Sequence, residues 1–348
     1  MVGRRRLVKR MMSRFERILV VVKHTPFEAY QQLKLQGKAP RALRWERLRD
    51  RHESHRRCVN EVCEMVKEYD EHVRVVSRED LGPQHVEGVD LLIAVGGDGT
   101  VLSATHYVDS GLRGRATPGP VVLGVNSDPT KPHERGVGTG GDERRSYGAL
   151  CYASTNDMAE VLPRVLRGEL DHHVELRRRM AVTVRSTLSE TRLPPALNDV
   201  LVAHPSPAAV SRFRIERRGK ADFSFNVWSS GLWVATATGS TAAMASAGGT
   251  ADVPATSPDL QYMVREQIIA GNENANFVRS LSHGVVDQHH HLQIRWNSQH
   301  GCVWIDGPHT SFDLELGDEI LITSHAIPLR LFSRPRSSRL YPPLPSLD

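Results

Sequence analysis

The segment Leu91-Leu92-Ile93-Ala94-Val95-Gly96-Gly97-Asp98-Gly99-Thr100 joins a run of apolar side chains to a glycine-rich turn with one carboxylate in its middle. Glycines let backbone N–H groups come close to a ligand, and a strand that feeds such a turn can present those amides to phosphate oxygens. Asp98 then lies beside a negatively charged ligand. That placement is costly unless the carboxylate accepts a proton or orients a hydroxyl. The segment therefore predicts a phosphate-binding turn with Asp98 as its reactive group.

Strands and helices alternate on both sides of this turn. Buried strands are indicated at 17–23, 73–77, 90–95 and 121–125, separated by segments with helical spacing of apolar residues. Such alternation predicts an α/β domain with a parallel, Rossmann-like sheet. Ligands in such sheets bind at the carboxyl ends of the strands. Asn126 ends one of these strands, so we expect it at the same edge of the sheet as Asp98.

The pattern changes after residue 170 to short, often alternating β segments, which indicate a β-rich C-terminal domain. The expected organisation is a basic tail at 1–16, an α/β domain at 17–170, a β-rich domain at 171–317, a C-terminal strand region at 318–333 that returns toward the N-terminal domain, and a disordered tail at 334–348. The last of these is predicted from its Pro and Ser content.

The composition is that of a soluble globular protein, with 39% hydrophobic and 24% charged residues. The net charge of +5 suits an anionic ligand such as a nucleotide but is too small to indicate nucleic acid. The longest stretch without a charge, 226–251, is too polar for a membrane span. We therefore expect a cytoplasmic protein without membrane or nucleic-acid partners. The basic residues before Glu16 leave import into an organelle open.

Two polar clusters interrupt the β-rich region. Asn198-Asp199 places an amide and a carboxylate in an otherwise apolar strand, although a bulge or turn cap explains the pair as well. The segment 235–249, ATATGSTAAMASAGG, supplies short hydroxyl side chains and glycines against which a flat ligand can lie. A tightly packed loop and helix start is the alternative. Asp306-Gly307 fits a hairpin turn.

One run of three basic residues, Arg177-Arg178-Arg179, has two interpretations. These side chains contact phosphate or adenine, or they form a solvated face at the start of a strand.

Taken in this order, the Gly-Gly-Asp-Gly turn, the Asn-acid pair and the Thr-Gly-Ser-Thr-Ala segment followed by Ser-Ala-Gly-Gly resemble the NAD kinase family over about residues 17–332. The segments 124–130, 204–213 and 259–266 are similar to its plant NADH kinase branch in particular. Asp306-Gly307 resembles the Asp-Gly turn near the C-terminal end of the family's sequences, although a hairpin turn explains the pair nearly as well. The resemblance implies ATP-dependent phosphorylation of the adenosine ribose 2′-hydroxyl of NADH, and of NAD⁺, giving NADPH and NADP⁺. It also assigns nucleotide binding to 17–170 and dinucleotide binding to 171–317.

The same resemblance implies a role for each matching residue. Asp98 would be the general base that takes the proton of the 2′-hydroxyl. The implied nucleotide-binding residues are Gly96, Gly97, Gly99, Thr100, Asn126, Asn198, Asp199, Thr238, Gly239, Ser240, Thr241, Ala242 and Ser246. ATP would be the phosphoryl donor and would bring Mg²⁺ with it, without a protein metal cage. A homodimer is implied as well.

Three positions depart from the broader family pattern. Ser230, Ala237 and Ala243 stand where family members usually have Asp, Pro and Tyr. We hypothesise that the altered pocket favours NADH, because NAD⁺ carries an extra positive charge on its nicotinamide. Two alternatives stay open. A lipid kinase of the diacylglycerol or sphingosine class has a similar glycine turn, and a non-catalytic NAD(H)-binding protein would bind the dinucleotide without turning it over.

Overall fold

The computed structural model of the chain describes residues 12–70, 73–109, 119–129, 147–218, 223–251, 253–269, 271 and 274–334. The tails expected at 1–16 and 334–348 lie mostly outside these described residues. Within the described ranges, no helix is long and apolar enough to cross a membrane.

The N-terminal part alternates strands with helices. Its strands are β1 (Ile18–Val22), β2 (Arg74–Ser77), β3 (Leu91–Gly96), β4 (Val121–Asn126), β5 (Ala153–Ser154) and β6 (Val174–Arg177). Its helices are α1 (Pro26–Leu35), α2 (Trp45–Lys67), α3 (Pro83–Val86), α4 (Asp98–Thr105) and α5 (Met158–Leu166).

The C-terminal part is mostly β-structure. Its strands are β7 (Ala181–Arg185), β8 (Glu190–Arg192), β9 (Asp199–Ala203), β10 (Ser211–Arg218), β11 (Phe223–Ser229), β12 (Gly231–Ala235), β13 (Leu260–Arg265), β14 (His283–Val286), β15 (His291–Trp296), β16 (His300–Ile305), β17 (Ser311–Glu315), β18 (Glu319–Thr323) and β19 (Leu329–Phe332). Its two short helices are α6 (Ala243–Ser246) and α7 (Ala275–Leu281).

The first sheet places the glycine turn at its centre. Its strand order is β2-β1-β3-β4-β19-β6, with β5 paired to β4. All pairs in the β2-β1-β3-β4-β19 run are parallel, whereas β6 is antiparallel to β19. Every residue of β3 and β4 is buried, because separate apolar clusters cover the two faces of the sheet. The predicted parallel α/β fold is thereby confirmed.

Two antiparallel sheets form the C-terminal part. Their strand orders are β11-β10-β15-β18-β7-β8 and β14-β13-β12-β9-β16-β17. One apolar core contains residues of both sheets, among them Ile294 and Ile320 from one and Val202 and Val303 from the other. The two sheets therefore pack as a sandwich, which confirms the predicted β-rich character.

The chain passes between the two parts at other points than we expected. Strand β6 extends the first sheet beyond residue 170, and β18 belongs to the sandwich. Within 318–333, only β19 returns to the first sheet. Alternating patterns identify strands but do not tell which sheet a strand joins, so the boundaries at 170 and 317 are both displaced.

The buried side chain of Arg179 connects the segment just before β19 to the end of α4. The side chain of Arg179 is 0% exposed, and its Nη2 lies 2.7 Å from both carboxylate oxygens of Asp109. Its Nε donates to the carbonyl of Ile327 at 2.8 Å, and its Nη1 donates to the carbonyl of Thr105 at 3.3 Å. Neither sequence interpretation of Arg179 is correct. Its side chain is buried and hydrogen-bonded to protein groups, so it does not form a solvated face and is not open to a nucleotide.

Replacing Arg179 with Met should lower the free energy of unfolding by about 3–5 kcal/mol, because the loss of one partner of a buried pair leaves its carboxylate uncompensated. Urea unfolding measures the loss. Arg185→Met is the matched control, since it breaks an exposed pair with Glu190 that should contribute at most about 1 kcal/mol. Equal losses in the two variants would contradict this account of Arg179.

Candidate active site

The glycine turn connects the end of β3 directly to α4. Gly97 precedes the helix and Asp98 is its first residue. A Cβ on Gly96 would lie 2.1 Å from Thr100 Oγ1, so this position requires glycine. Thr100 is buried beneath the turn, whereas Gly99 is exposed with open space around it. Gly99 therefore leaves open space at the start of α4, where an anion would approach the helix.

Two backbone amides fix the orientation of the Asp98 carboxylate. Its Oδ1 accepts from the N–H of Leu150 at 2.8 Å, and its Oδ2 accepts from the N–H of Gly148 at 3.1 Å. The residue is half-buried. Burial raises the pKa of the neighbouring Cys151 thiol well above its usual value, and the charge of Asp98 adds to that effect. The Cys151 thiol therefore stays protonated at neutral pH.

Asn126 lies beneath the same edge of the sheet. It stands opposite Gly96 in the β3–β4 register and is buried. Its Oδ1 accepts from the N–H of Asp128 at 3.2 Å. A Cβ on Gly148 would lie 2.6 Å from Asn126 Nδ2, so the amide packs directly against the segment that holds Asp98. The expected proximity of Asn126 to Asp98 follows from this packing.

The two polar clusters of the C-terminal part pack against each other. The N–H of Thr236 donates to the carbonyl of Asn198 at 2.9 Å, and its hydroxyl donates to the carbonyl of Leu197 at 2.5 Å. A Cβ on Gly239 would lie 2.0 Å from the backbone oxygen of Asn198. The segment 236–242, called the loop below, and the start of β9 therefore form one surface, as a shared ligand site requires.

Two polar atoms on this surface are buried without a hydrogen-bond partner among the described residues. They are Asn198 Oδ1 and Thr238 Oγ1. Leaving such atoms unsatisfied costs free energy, and polar groups of a ligand would remove that cost. This pair of atoms points to a ligand between the loop and β9.

The other predicted loop residues have different surroundings. Thr241 and Ala242 are half-buried, and Ser246 is exposed at the end of α6. Ser240 is fully buried, and its hydroxyl donates to the carbonyl of Ala237 at 2.8 Å. The Ser240 side chain therefore holds the loop together.

Asp199 is a buried carboxyl at the start of β9. Burial raises its pKa to about 7, and the nearby charge of Asp306 acts in the same direction. Between the usual pKa of 3.8 and about 7, the folded chain holds a proton that the unfolded chain has lost. Stability from this group therefore falls as the pH rises through that window.

Replacing Asp199 with Asn should remove this pH dependence. Relative to the unaltered protein, the variant should gain roughly 2–3 kcal/mol in unfolding free energy on going from pH 5 to pH 8. Urea unfolding at the two pH values measures the change. If the variant and the unaltered protein differ in unfolding free energy by the same amount at pH 5 and pH 8, the pKa of Asp199 is not raised.

An apolar cluster and a buried polar pair connect the two halves of the site. Leu150, whose N–H binds Asp98, lies in one apolar cluster with Leu197. His106, just after α4, contacts Asp306 through Nε2 and Oδ2 at 3.1 Å. Sequence reasoning missed His106, which stands in no motif, and it treated Asp306 as a turn residue. These contacts connect the segments that hold Asp98 with the backbone at Leu197 and Asn198.

No group of three or more His, Cys, Asp or Glu side chains in the described part of the chain is arranged to hold a metal ion.

Two solved kinases share this architecture. Yeast NADH kinase complexed with NADH superposes with a TM-score of 0.60 and 16% identity, covering 93% of this chain and 85% of that one. An NAD kinase from Archaeoglobus fulgidus in complex with ATP gives a TM-score of 0.57 and 20% identity, covering 91% and 93%. At these identities the likeness defines the fold, which is that of NAD kinases.

Plant proteins give the sequence relationship. A probable NADH kinase of Oryza sativa is 42% identical over 256 residues, which are 72% of this chain and 73% of that protein. The NADH kinase of Arabidopsis thaliana is 37% identical over 325 residues, 91% and 95% of the two chains. No protein-family model matches the sequence. The chain belongs to the NAD kinase family, in its plant-type NADH kinase branch.

Proposed function

We propose that this chain transfers the γ-phosphoryl group of ATP to the 2′-hydroxyl of the adenosine ribose of NADH, giving NADPH, and that NAD⁺ is a second acceptor. The observation that carries the proposal is 37% identity over 95% of the Arabidopsis NADH kinase. The orientation of Asp98 by two backbone amides supports it independently.

Asp98 is the general base of this reaction. The 2′-hydroxyl is a poor nucleophile at neutral pH, and a carboxylate within hydrogen-bond reach takes its proton as the new P–O bond forms. The bond between the γ-phosphorus and the bridging oxygen of ATP breaks, and ADP leaves. The amides of Gly97 and Gly99 are placed to bind phosphate oxygens. Mg²⁺ bound to ATP would screen the phosphate charges.

The acceptor dinucleotide binds between the loop and β9. Asn198 Oδ1 and Thr238 Oγ1 gain their missing hydrogen bonds from its ribose or nicotinamide groups. Thr241 and Ala242 line the same pocket, and Gly239 allows the loop to approach β9. Ser240 stabilises the conformation of the loop through its hydrogen bond to the carbonyl of Ala237. Ser246 and Asp199 are the remaining residues proposed to bind the dinucleotide.

A homodimer, which the family resemblance implies, and a cytoplasmic location, which the composition favours, belong to the same proposal. Light scattering coupled to size-exclusion chromatography tests the first, and imaging of a fluorescent fusion tests the second.

The test of the proposed function is the initial rate of NADPH or NADP⁺ formation from ATP, Mg²⁺ and each dinucleotide. We expect a higher kcat/KM for NADH than for NAD⁺. Ser230 stands where the broader family has an acidic residue, so the pocket lacks a negative charge that would favour the positive nicotinamide of NAD⁺, and Ala243 in place of an aromatic residue opens space. Preference for NAD⁺ would reject that part. Binding of NADH without ATP-dependent product would indicate a non-catalytic binder, and activity confined to a lipid alcohol would indicate a lipid kinase.

A further inference from the structure

A buried His–Asp pair connects the residue after α4 to the residue after β16. His106 Nε2 lies 3.1 Å from Asp306 Oδ2, and the two side chains are 3% and 0% exposed. The residues are 200 positions apart in the sequence. One follows the helix that begins with Asp98, and the other follows a strand of the sandwich. The pair therefore spans the two halves of the proposed site.

The carboxylate of Asp306 also holds three consecutive backbone amides. Its Oδ2 accepts from the N–H of Leu197 at 2.9 Å, and its Oδ1 accepts from the N–H groups of Asn198 and Asp199 at 2.6 and 3.2 Å. The N–H of Asp306 donates in turn to the carbonyl of Asp199 at 2.9 Å. One residue thus fixes the backbone beside Asn198, whose Oδ1 has no hydrogen-bond partner within the described part of the chain.

The backbone of Asp306 is held in an uncommon conformation. Its φ is 53°, in the left-handed region that disfavours side chains other than those of Asn and Asp. Such a conformation persists where the surroundings determine it fully, and it is frequent at functional sites. Here it directs the carboxylate onto the amides of residues 197–199.

The imidazole of His106 is fixed on both nitrogens. Both carboxylate oxygens of Asp306 already accept hydrogen bonds from backbone N–H groups, so Nε2 of His106 is assigned as the donor in this contact. Nδ1 lies 3.2 Å from the hydroxyl of Thr310, which donates to it when the ring is neutral. His309 stacks on the ring with a centroid distance of 5.3 Å. These three contacts hold the His106 ring in one orientation. A shift of α4 would therefore move the hydrogen bond that the ring makes with Asp306.

We propose that His106 and Asp306 are positioning residues for phosphoryl transfer: together they set the place of the Asn198–Asp199 backbone relative to the helix of Asp98, so that the acceptor hydroxyl meets the Asp98 carboxylate. The inference rests on the proposed function. A displacement of about 1 Å at such a site costs as much as about 10²-fold in rate, so a pair remote from the reacting atoms can control kcat.

The test compares His106→Leu with His106→Gln. The Leu variant removes the donor to Asp306 and should lower kcat by at least about tenfold, with little change in the dissociation constant of NADH measured by its fluorescence. In the Gln variant, the side-chain amide replaces Nε2–H and should restore most of the lost kcat. Ile320→Val, a core change in β18 that touches none of the hydrogen bonds of this pair, should lower the melting temperature and leave kcat unchanged.

Thr310→Val supplies a second, milder variant. It keeps the volume, removes the hydroxyl at Nδ1, and should lower kcat by a smaller factor in the same direction. Unchanged kcat in the Leu variant, or a weaker NADH affinity that accounts for the whole loss, would overturn the positioning role while leaving the kinase assignment intact. A folded, unaltered chain without activity on NADH would overturn the proposed function, and this inference with it.

Discussion

Replacing Asp98 with Asn is expected to lower kcat for NADH phosphorylation by at least about 10²-fold, the lower range of what a general base contributes. The amide keeps the shape of the side chain but cannot take the hydroxyl proton. Its NH₂ group would also face one of the two amides, of Gly148 or Leu150, that the carboxylate now accepts from. Initial rates of NADPH formation at saturating ATP and NADH give the measurement.

The matched control for this variant is Asp80→Asn. Asp80 is an exposed carboxylate that accepts from the Ser77 hydroxyl at 2.7 Å, and its neutralisation should leave kcat unchanged. The dissociation constant of NADH should change little in either variant, because Asp98 acts on the reacting hydroxyl. An Asp98→Asn enzyme with nearly full kcat would remove the general base from the mechanism.

Replacing Gly239 with Ala should abolish most of the activity by separating the loop from β9. The added Cβ would lie 2.0 Å from the backbone oxygen of Asn198, and a backbone atom cannot swing away as a flexible side chain can. Overpacking of this kind costs about 1–3 kcal/mol. A shift of about 1 Å in Asn198 and Thr238 lowers the rate by about 10²-fold.

Measuring kcat/KM for NADH and the melting temperature separates the two effects of the Gly239 change. Gly271→Ala is the control, because a Cβ there meets no atom of the residues that the structure describes within 4 Å. Wild-type kcat/KM in the Gly239 variant would show that the contact between loop and strand does not shape the dinucleotide site.

The parts of the fold that local patterns determine were predictable from the sequence. Buried apolar runs identified β3 and β4, since helices cover both faces of a parallel sheet. The partners of β19 were not, because Leu331 pairs with Val122 on one side and Glu175 on the other. Such pairings join segments far apart in the sequence and leave no periodic trace in it.

The candidate site shows the same division. Motifs located Asp98, Asn198 and the loop with Gly239, and packing of the loop on β9 agrees with a shared role. His106 stands in no motif, and Asp306 was interpreted as a turn residue because an Asp-Gly pair has an ordinary explanation. Their contact depends on tertiary structure alone. The buried Ser240 hydroxyl likewise serves the loop, which a motif cannot reveal.

The most direct test of the mechanism is the distance from the Asp98 carboxylate to the adenosine ribose 2′-oxygen in a crystal structure of the chain with NADH bound. We predict about 2.6–3.2 Å, or a single bridging water, with Asn198 Oδ1 and Thr238 Oγ1 both hydrogen-bonded to the dinucleotide. A bound NADH whose 2′-oxygen lies beyond the reach of this carboxylate, with or without water, would contradict the assignment of Asp98 as the base.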